Sequence, residues 1–340
     1  MNEVHIQSRA KLPKSLFRGY SKVAVLVDEN TRIHCYERIR SQLPGHELIT
    51  IPAGEQHKNL ATCQQVWQQM TGANLDRHAV LVALGGGVVS DLGGFCASTY
   101  KRGIDFILLP TTLLSMADAS IGGKTGVDFG TLKNHVGTFA LPKVTWIITD
   151  FLQTLPQPEL RSGFAEVIKH CLVSDRKAWN QLRRKPLKAH NLTRLVRHSA
   201  DFKMRVVSKD PREGGLRKIL NFGHTIGHAL EGLSLQTRTP LLHGEAIAAG
   251  MIMESYIAWR KKLLKEAELE EIRDYIVEIF GKAELPEEGK WMEALRQDKK
   301  NKGRNILMAL PKSIGKAVFD IPVSEPEIRA AAGYYRNDQM

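Results

Sequence analysis

The chain has 340 residues, 43% hydrophobic and 25% charged, with a formal net charge of +12. That length exceeds what one core usually organises, so two domains are expected, and the ordinary composition excludes a collagenous, low-complexity or disulfide-framework protein. The excess charge lies on stretches such as DRKAWNQLRRK and RQDKKNKGR that read as solvated helices; without a zinc-finger or RNA-binding aromatic pattern, it points to an anionic small molecule and not to nucleic acid.

The opening segment MNEVHIQSRAKLPK lacks the apolar centre of a signal peptide, and no apolar run approaches membrane-spanning length. Cys35, Cys63, Cys96 and Cys171 stand outside any CxxC spacing. The expectation is a cytoplasmic protein with reduced thiols and no membrane partner.

KVAVLVDEN, from Lys22, is a short apolar run ending in polar turn residues, which predicts a buried parallel strand. In NLATCQQVWQQM, Leu60, Cys63, Val66, Trp67 and Met70 share one helical face. HAVLVALGGG is a second strand running into glycine, and DFILLPTT and VTWIITD supply two more. Strands alternating with helices predict an α/β, Rossmann-like domain with a parallel sheet over residues 1–150. Beyond it, PELRSGFAEVIKHCLV, HTIGHALEGL, GEAIAAGMIMESYIAWRKKLL and EAELEEIRDYIVEIFG all carry helical periodicity. Residues 151–340 are therefore expected to form a mostly α-helical domain.

GGGVVSDLGG, Gly85 to Gly94, follows directly on a strand. Glycines there let the backbone approach a pyrophosphate at the next helix's N-terminus, but Ser90 stands where the dinucleotide fingerprint has its third glycine. A phosphate-binding turn and a merely tight strand–helix connection both remain open. SMADASIGGKTGVDFGTLKN reads as a loop that packs down, with Asp118, Lys124, Lys133 and Asn134 around a glycine turn suited to phosphate or carboxylate oxygens.

In LNFGHTIGHALE, a helix starting near Phe222 would put His224 and His228 on one face. His243 lies at a loop–helix junction followed by Glu245, and Glu166 interrupts an otherwise apolar helix. A buried carboxylate needs a cation, and either a metal or Lys169 would serve. One carboxylate with imidazoles is the make-up of a catalytic zinc site; a structural salt-bridge cluster is the competing reading.

Taken together and in order, GGGVVSDLGGFCAST, KRGIDFILLPTTLLSMADASIGGKTG, GFAEVIKH, DPREGGLRKILNFGHTIGHALE and LLHGE resemble the 3-dehydroquinate synthase family of sugar-phosphate cyclases, relatives of metal-dependent polyol dehydrogenases. The resemblance implies NAD in the first domain, a divalent zinc or cobalt ion in the second, and a homodimer. It places the metal ligands on Glu166, His224 and His243 and gives His228 to the substrate. NAD contacts fall on Asp28, Glu55, Lys58, Gly86, Gly87, Val88, Asp91, Thr111, Thr112, Lys133 and Thr154. Substrate contacts fall on Asp118, Lys124, Asn134, Arg217, Asn221, His228 and Lys299, with Arg102 reaching the substrate of the partner subunit. Glu213, His228, Lys169 and Lys203 take catalytic roles; Ser162, where some relatives carry asparagine, is given none.

The implied reaction converts 3-deoxy-D-arabino-heptulosonate 7-phosphate into 3-dehydroquinate and phosphate, by transient oxidation, elimination, reduction, ring opening and aldol closure. Another sugar-phosphate cyclase or an NAD-dependent polyol dehydrogenase is the alternative.

Overall fold

Apolar runs at residues 23–28, 80–85 and 105–110 leave no polar face to solvate, so each must be covered on both sides. The computed structural model describes residues 3–130, 132–235, 237, 239–286, 291–292, 295 and 306–337, and builds these runs into the middle of a sheet. The strands are β1 (Glu3–Gln7), β2 (Val23–Asp28), β3 (Glu47–Ile51), β4 (Val80–Gly85), β5 (Asp105–Pro110), β6 (Lys124–Phe129), β7 (Leu132–Phe139) and β8 (Val144–Ile148). Six of them form a parallel sheet in the order β1-β8-β5-β4-β2-β3.

Two single-turn helices, α1 (Glu29–Thr31) and α2 (Glu37–Ile39), flank a π-helical stretch at Arg32–Tyr36. The longer α3 (Leu60–Gly72) is capped by Asn59, whose side chain accepts from the Thr62 amide at 3.0 Å. Of its predicted face, Cys63, Val66 and Met70 are fully buried, Trp67 is half-buried and Leu60 is exposed. In α4 (Gly87–Thr99), Gly93 brings the helix down onto β4: a Cβ there would stand 2.8 Å from that of Ala83. The stretch expected as a loop after β5 is instead a π-helical turn at Ser115–Ala119 followed by the antiparallel pair β6–β7.

The chain divides into two compact units: Met1–Leu160 with Leu192–Ala200, and Arg161–Asn191 with Asp201–Met340. The later elements are α5 (Gln157–Ser174), α6 (Arg176–Leu182), α7 (Leu192–Lys209), α8 (His224–Ser234), α9 (His243–Arg260), α10 (Glu266–Phe280), β9 (Ile306–Ser313), β10 (Lys316–Val323) and α11 (Glu325–Asn337). The second unit is mostly helical, with the antiparallel pair β9–β10 as an addition to the expected pattern. Among the described residues no helix is long and apolar enough to cross a membrane.

Candidate functional site

Glu166 sits between the buried Phe164, Ala165, Val167 and Ile168 of α5 and is itself 1% exposed. Its two oxygens face different partners. Oε2 is ion-paired with Lys169 one turn on, while Oε1 lies 3.4 Å from His224 Nε2 and 3.4 Å from His243 Nε2.

His224 opens α8. Its N-cap, Gly223, has φ 79°, a left-handed backbone that glycine adopts at no steric cost. Glycine leaves the first amides of the helix without a side-chain cap, and Glu254 of α9 fills that role from a distance. Its fully buried carboxylate accepts from the Gly223 amide at 2.6 Å and the Ile226 amide at 3.1 Å. Gly250, one turn before Glu254, permits the approach, because a Cβ there would meet the Gly223 carbonyl oxygen at 2.0 Å.

His243 opens α9 and is strapped to α5. The Gly244 amide donates to Ser162 Oγ at 2.9 Å, and Arg161 pairs with Glu245 at 2.6 Å. Glu245 in turn accepts from the Leu242 amide at 3.0 Å. Ser162, which carried no assigned role, thus fixes the residue next to a candidate ligand.

The imidazole tautomers follow from their outer partners. His224 Nδ1 is 3.1 Å from the Phe222 carbonyl, and His243 Nδ1 is 3.3 Å from Glu231 Oε2. Both acceptors call for a proton on Nδ1, which leaves Nε2 of each ring as the nitrogen that faces Glu166 and the one that offers a lone pair when the ring is neutral. A carboxylate oxygen among imidazole nitrogens calls for positive charge, supplied by a proton on His243 or by a cation among the three atoms. The three lie within 4.8 Å of one another, and bonds of ~2.1 Å at tetrahedral angles put neighbouring ligand atoms ~3.4 Å apart. The donor set therefore fits a divalent ion.

The two rings are pulled in opposite directions. Burial, and then the Lys169 ammonium, hold His224 well below its ordinary 6.5. Burial opposes protonation of His243 too, but Glu231 and Glu166 outweigh it and push that residue up to about 10.

His228 shares the helix face, and its ring nitrogen lies within 4.8 Å of ligand atoms of Glu231 and His243. It is exposed, with its ring 5.0 Å from His224 and 6.0 Å from His243. Nearby chain elements hold the other predicted groups of this unit. Lys203 and Arg217 are buried at 6% and 3% exposure. Asp210 organises the loop after α7 by accepting from the Gly214, Gly215 and Arg217 amides at 2.9, 2.8 and 2.9 Å. Within that loop Arg217 donates to the Pro211 carbonyl at 2.7 Å, and Asn221 donates to Glu213 Oε1 at 2.6 Å. Lys299 lies outside the described residues.

The first unit gathers a second polar group. Lys58, 4% exposed, donates to Asp91 at 2.7 Å and to Asn134 at 2.6 Å, and Lys133 pairs with Glu55 at 3.3 Å. Asp128, which the sequence did not mark, accepts from the Asn134 amide at 2.7 Å. Gly86 caps α4, followed by Gly87 and Val88 in its first turn, and the Thr111 amide donates to the Gly85 carbonyl at 3.0 Å. Thr112 accepts from the Ser115 amide at 3.1 Å, and Asp118 lies in the π-helical turn. Asp28, at the end of β2, caps α1 by accepting from the Thr31 amide at 2.7 Å. Thr154 donates to the Phe151 carbonyl at 3.2 Å. Lys124 is exposed at the start of β6. Arg102, Asn134 and Glu213 all hold left-handed backbone, with φ of 68°, 50° and 61°, a conformation that persists where the surroundings over-determine it.

Known proteins share this sequence and this fold. Family models described as the 3-dehydroquinate synthase N-terminal and C-terminal domains match residues 48–162 and 163–301. A 3-dehydroquinate synthase of Parabacteroides distasonis is 37% identical, over 93% of this chain and 92% of its own length. The chain belongs to the 3-dehydroquinate synthase family. Among solved structures, a 2-epi-5-epi-valiolone synthase from Streptomyces hygroscopicus with NAD+ and Zn2+ bound is similar with TM-score 0.89 at 29% identity, covering 100% of this chain and 98% of that one. A 2-deoxy-scyllo-inosose synthase complexed with carbaglucose-6-phosphate, NAD+ and Co2+ follows with TM-score 0.84 at 25% identity, covering 96% and 92%.

Proposed function

We propose that the chain is a 3-dehydroquinate synthase, a lyase that converts 3-deoxy-D-arabino-heptulosonate 7-phosphate into 3-dehydroquinate and phosphate without net oxidation. The observation that carries the reading is the convergence of Glu166 Oε1, His224 Nε2 and His243 Nε2 in a chain of this family. These three would hold a zinc or cobalt ion with room left for substrate hydroxyls. NAD would be held in the first unit, by the glycine turn at Gly86, Gly87 and Val88, by Thr111 and Thr112, and by Asp28, Glu55, Lys58, Asp91, Lys133 and Thr154. When bound, the ion supplies charge stabilisation at an oxygen and the nicotinamide supplies a reversible hydride acceptor.

The remaining chemistry falls to side chains of the chain itself. Lys169, Lys203 and Arg217 are buried cations whose charge-assisted hydrogen bonds suit carboxylate and phosphate oxygens. Lys124, Asp118, Asn134 and Asn221 add further polar contacts to the substrate. Glu213, which accepts from Asn221, and the exposed His228 would exchange protons with it. Retention of Lys124, Lys203 and Arg217 together favours a substrate that bears a carboxylate as well as a phosphate. Arg102, exposed on a left-handed turn, is assigned to the substrate of the partner subunit in a cytoplasmic homodimer, with neither nucleic acid nor membrane as partner.

The test is to incubate the purified chain with the heptulosonate phosphate, catalytic NAD and zinc or cobalt. Phosphate and dehydroquinate should appear in equal amounts, without accumulating NADH, and a chelator should stop both. Accumulating NADH would point to a polyol dehydrogenase. Turnover confined to glucose 6-phosphate or sedoheptulose 7-phosphate would assign a different cyclase.

A further inference from the structure

We propose that Glu231 is a positioning residue for His243: its carboxylate holds the Nδ1 proton and so aims Nε2 at the point shared with Glu166 and His224. The inference rests on the metal reading given above. Glu231 closes the stretch GHTIGHALE, yet none of the chemistry assigned to that stretch uses it. It is 5% exposed in the last turns of α8, and its Oε2 lies 3.3 Å from His243 Nδ1. Burying a carboxylate is costly unless a donor or cation meets it, and one donor here is the His243 ring.

The backbone nearby keeps the pair opposed. Ser234 Oγ donates to the Glu231 carbonyl at 2.7 Å and accepts from the Leu241 amide at 3.0 Å. The residues leading into α9 are thus tied back to α8 within two positions of His243. The two ring nitrogens divide the two carboxylates: Nδ1 faces Glu231 and Nε2 faces Glu166. With Nδ1 fixed as a donor, the ring cannot flip, and Nε2 is the nitrogen that gives up its proton to an incoming ion, which is how outer carboxylates orient ligand histidines.

The chemistry separates orientation from charge. A Glu231→Gln side chain keeps a carbonyl oxygen that accepts the Nδ1 proton, whereas Glu231→Leu keeps volume and offers no acceptor. Cobalt titrations of the full-length chain, followed by visible absorption, read both affinity and ligand geometry. Expected are cobalt affinity within about threefold of wild type for E231Q with the same absorption bands, and about 10- to 100-fold weaker binding with altered bands for E231L. Should E231L fail to fold by circular dichroism, Glu231→Ala takes its place with the same expected loss. Wild-type affinity in the variant without an acceptor would overturn the proposal, and so would E231Q binding as weakly as that variant, since the negative charge and not the hydrogen bond would then matter. A wild-type chain that takes up no cobalt would remove the metal reading itself and this inference with it.

Discussion

The Gly223 amide donates to the Glu254 carboxylate at 2.6 Å across thirty-one residues of sequence. That hydrogen bond couples the helix that starts with His224 to the helix that starts with His243, so the spacing of two candidate ligands depends on one buried acid. Glu254→Ala would leave the Gly223 and Ile226 amides without their acceptor, at a cost of roughly 2–3 kcal/mol. Urea unfolding of the metal-free protein should show the loss, with a smaller one for Glu254→Gln. An unchanged midpoint in the alanine variant would mean that water replaces the carboxylate.

His243→Ala removes one of the three ligand atoms around the shared point. The variant should fold but lose bound metal, measured by elemental analysis after dialysis, and turnover should fall to background. Metal content equal to wild type would reject the ligand assignment.

Lys124 is exposed at the start of β6 and is assigned to the anionic substrate. Lys124→Met should raise the Michaelis constant or depress turnover, by about tenfold or more if a charge-assisted hydrogen bond of 1.5–3 kcal/mol is lost. Steady-state kinetics checks this, and near-normal constants would remove Lys124 from the site.

Asp210 anchors the loop that carries Glu213 and Arg217, and its pH dependence has a definite sign. The Arg217 amide first, and the Gly215 and Gly214 amides with it, hold its carboxyl below the ordinary 3.8. A carboxylate with a lowered folded pKa stabilises the native state above its unfolded value and loses that contribution as pH falls through the folded one. Asp210→Ala should therefore lower the urea midpoint equally at neutral and mildly alkaline pH, and the gap should close only in strong acid, below about pH 4. A gap that closes between pH 6 and 8 would assign the effect to another group.

Central strands were readable because a strand covered on both faces must be continuously apolar, as in VAVLVD and VLVALG. The strands β1 and β3 escaped because edge strands are half solvated: EVHIQ and ELITI mix polar and apolar residues like a loop. The pair β6–β7 was hidden by glycines that read as turn chemistry. At the site, Glu166 was legible from the cost of placing a carboxylate in an apolar helix. The same argument applied to GMIMESY would have marked Glu254, but no spacing rule names a partner thirty residues away. Spacing alone could not separate His224 from His228; their difference is burial, which depends on helix α9 packing against α8. Asp128 and Ser162 act on backbone amides, and that kind of contact leaves no residue-type signature.

Asn134 and Glu213 hold left-handed backbone while presenting side chains to the groups around them. Left-handed backbone costs a residue such as glutamate roughly 1–2 kcal/mol, and asparagine less. A library of variants screened only for heat resistance would accordingly drift toward glycine at 134 and 213, gaining tolerance of temperature while discarding two side chains assigned to the substrate. Thermal engineering of this scaffold has to select for turnover in the same round, or it will enrich sturdy, inert proteins.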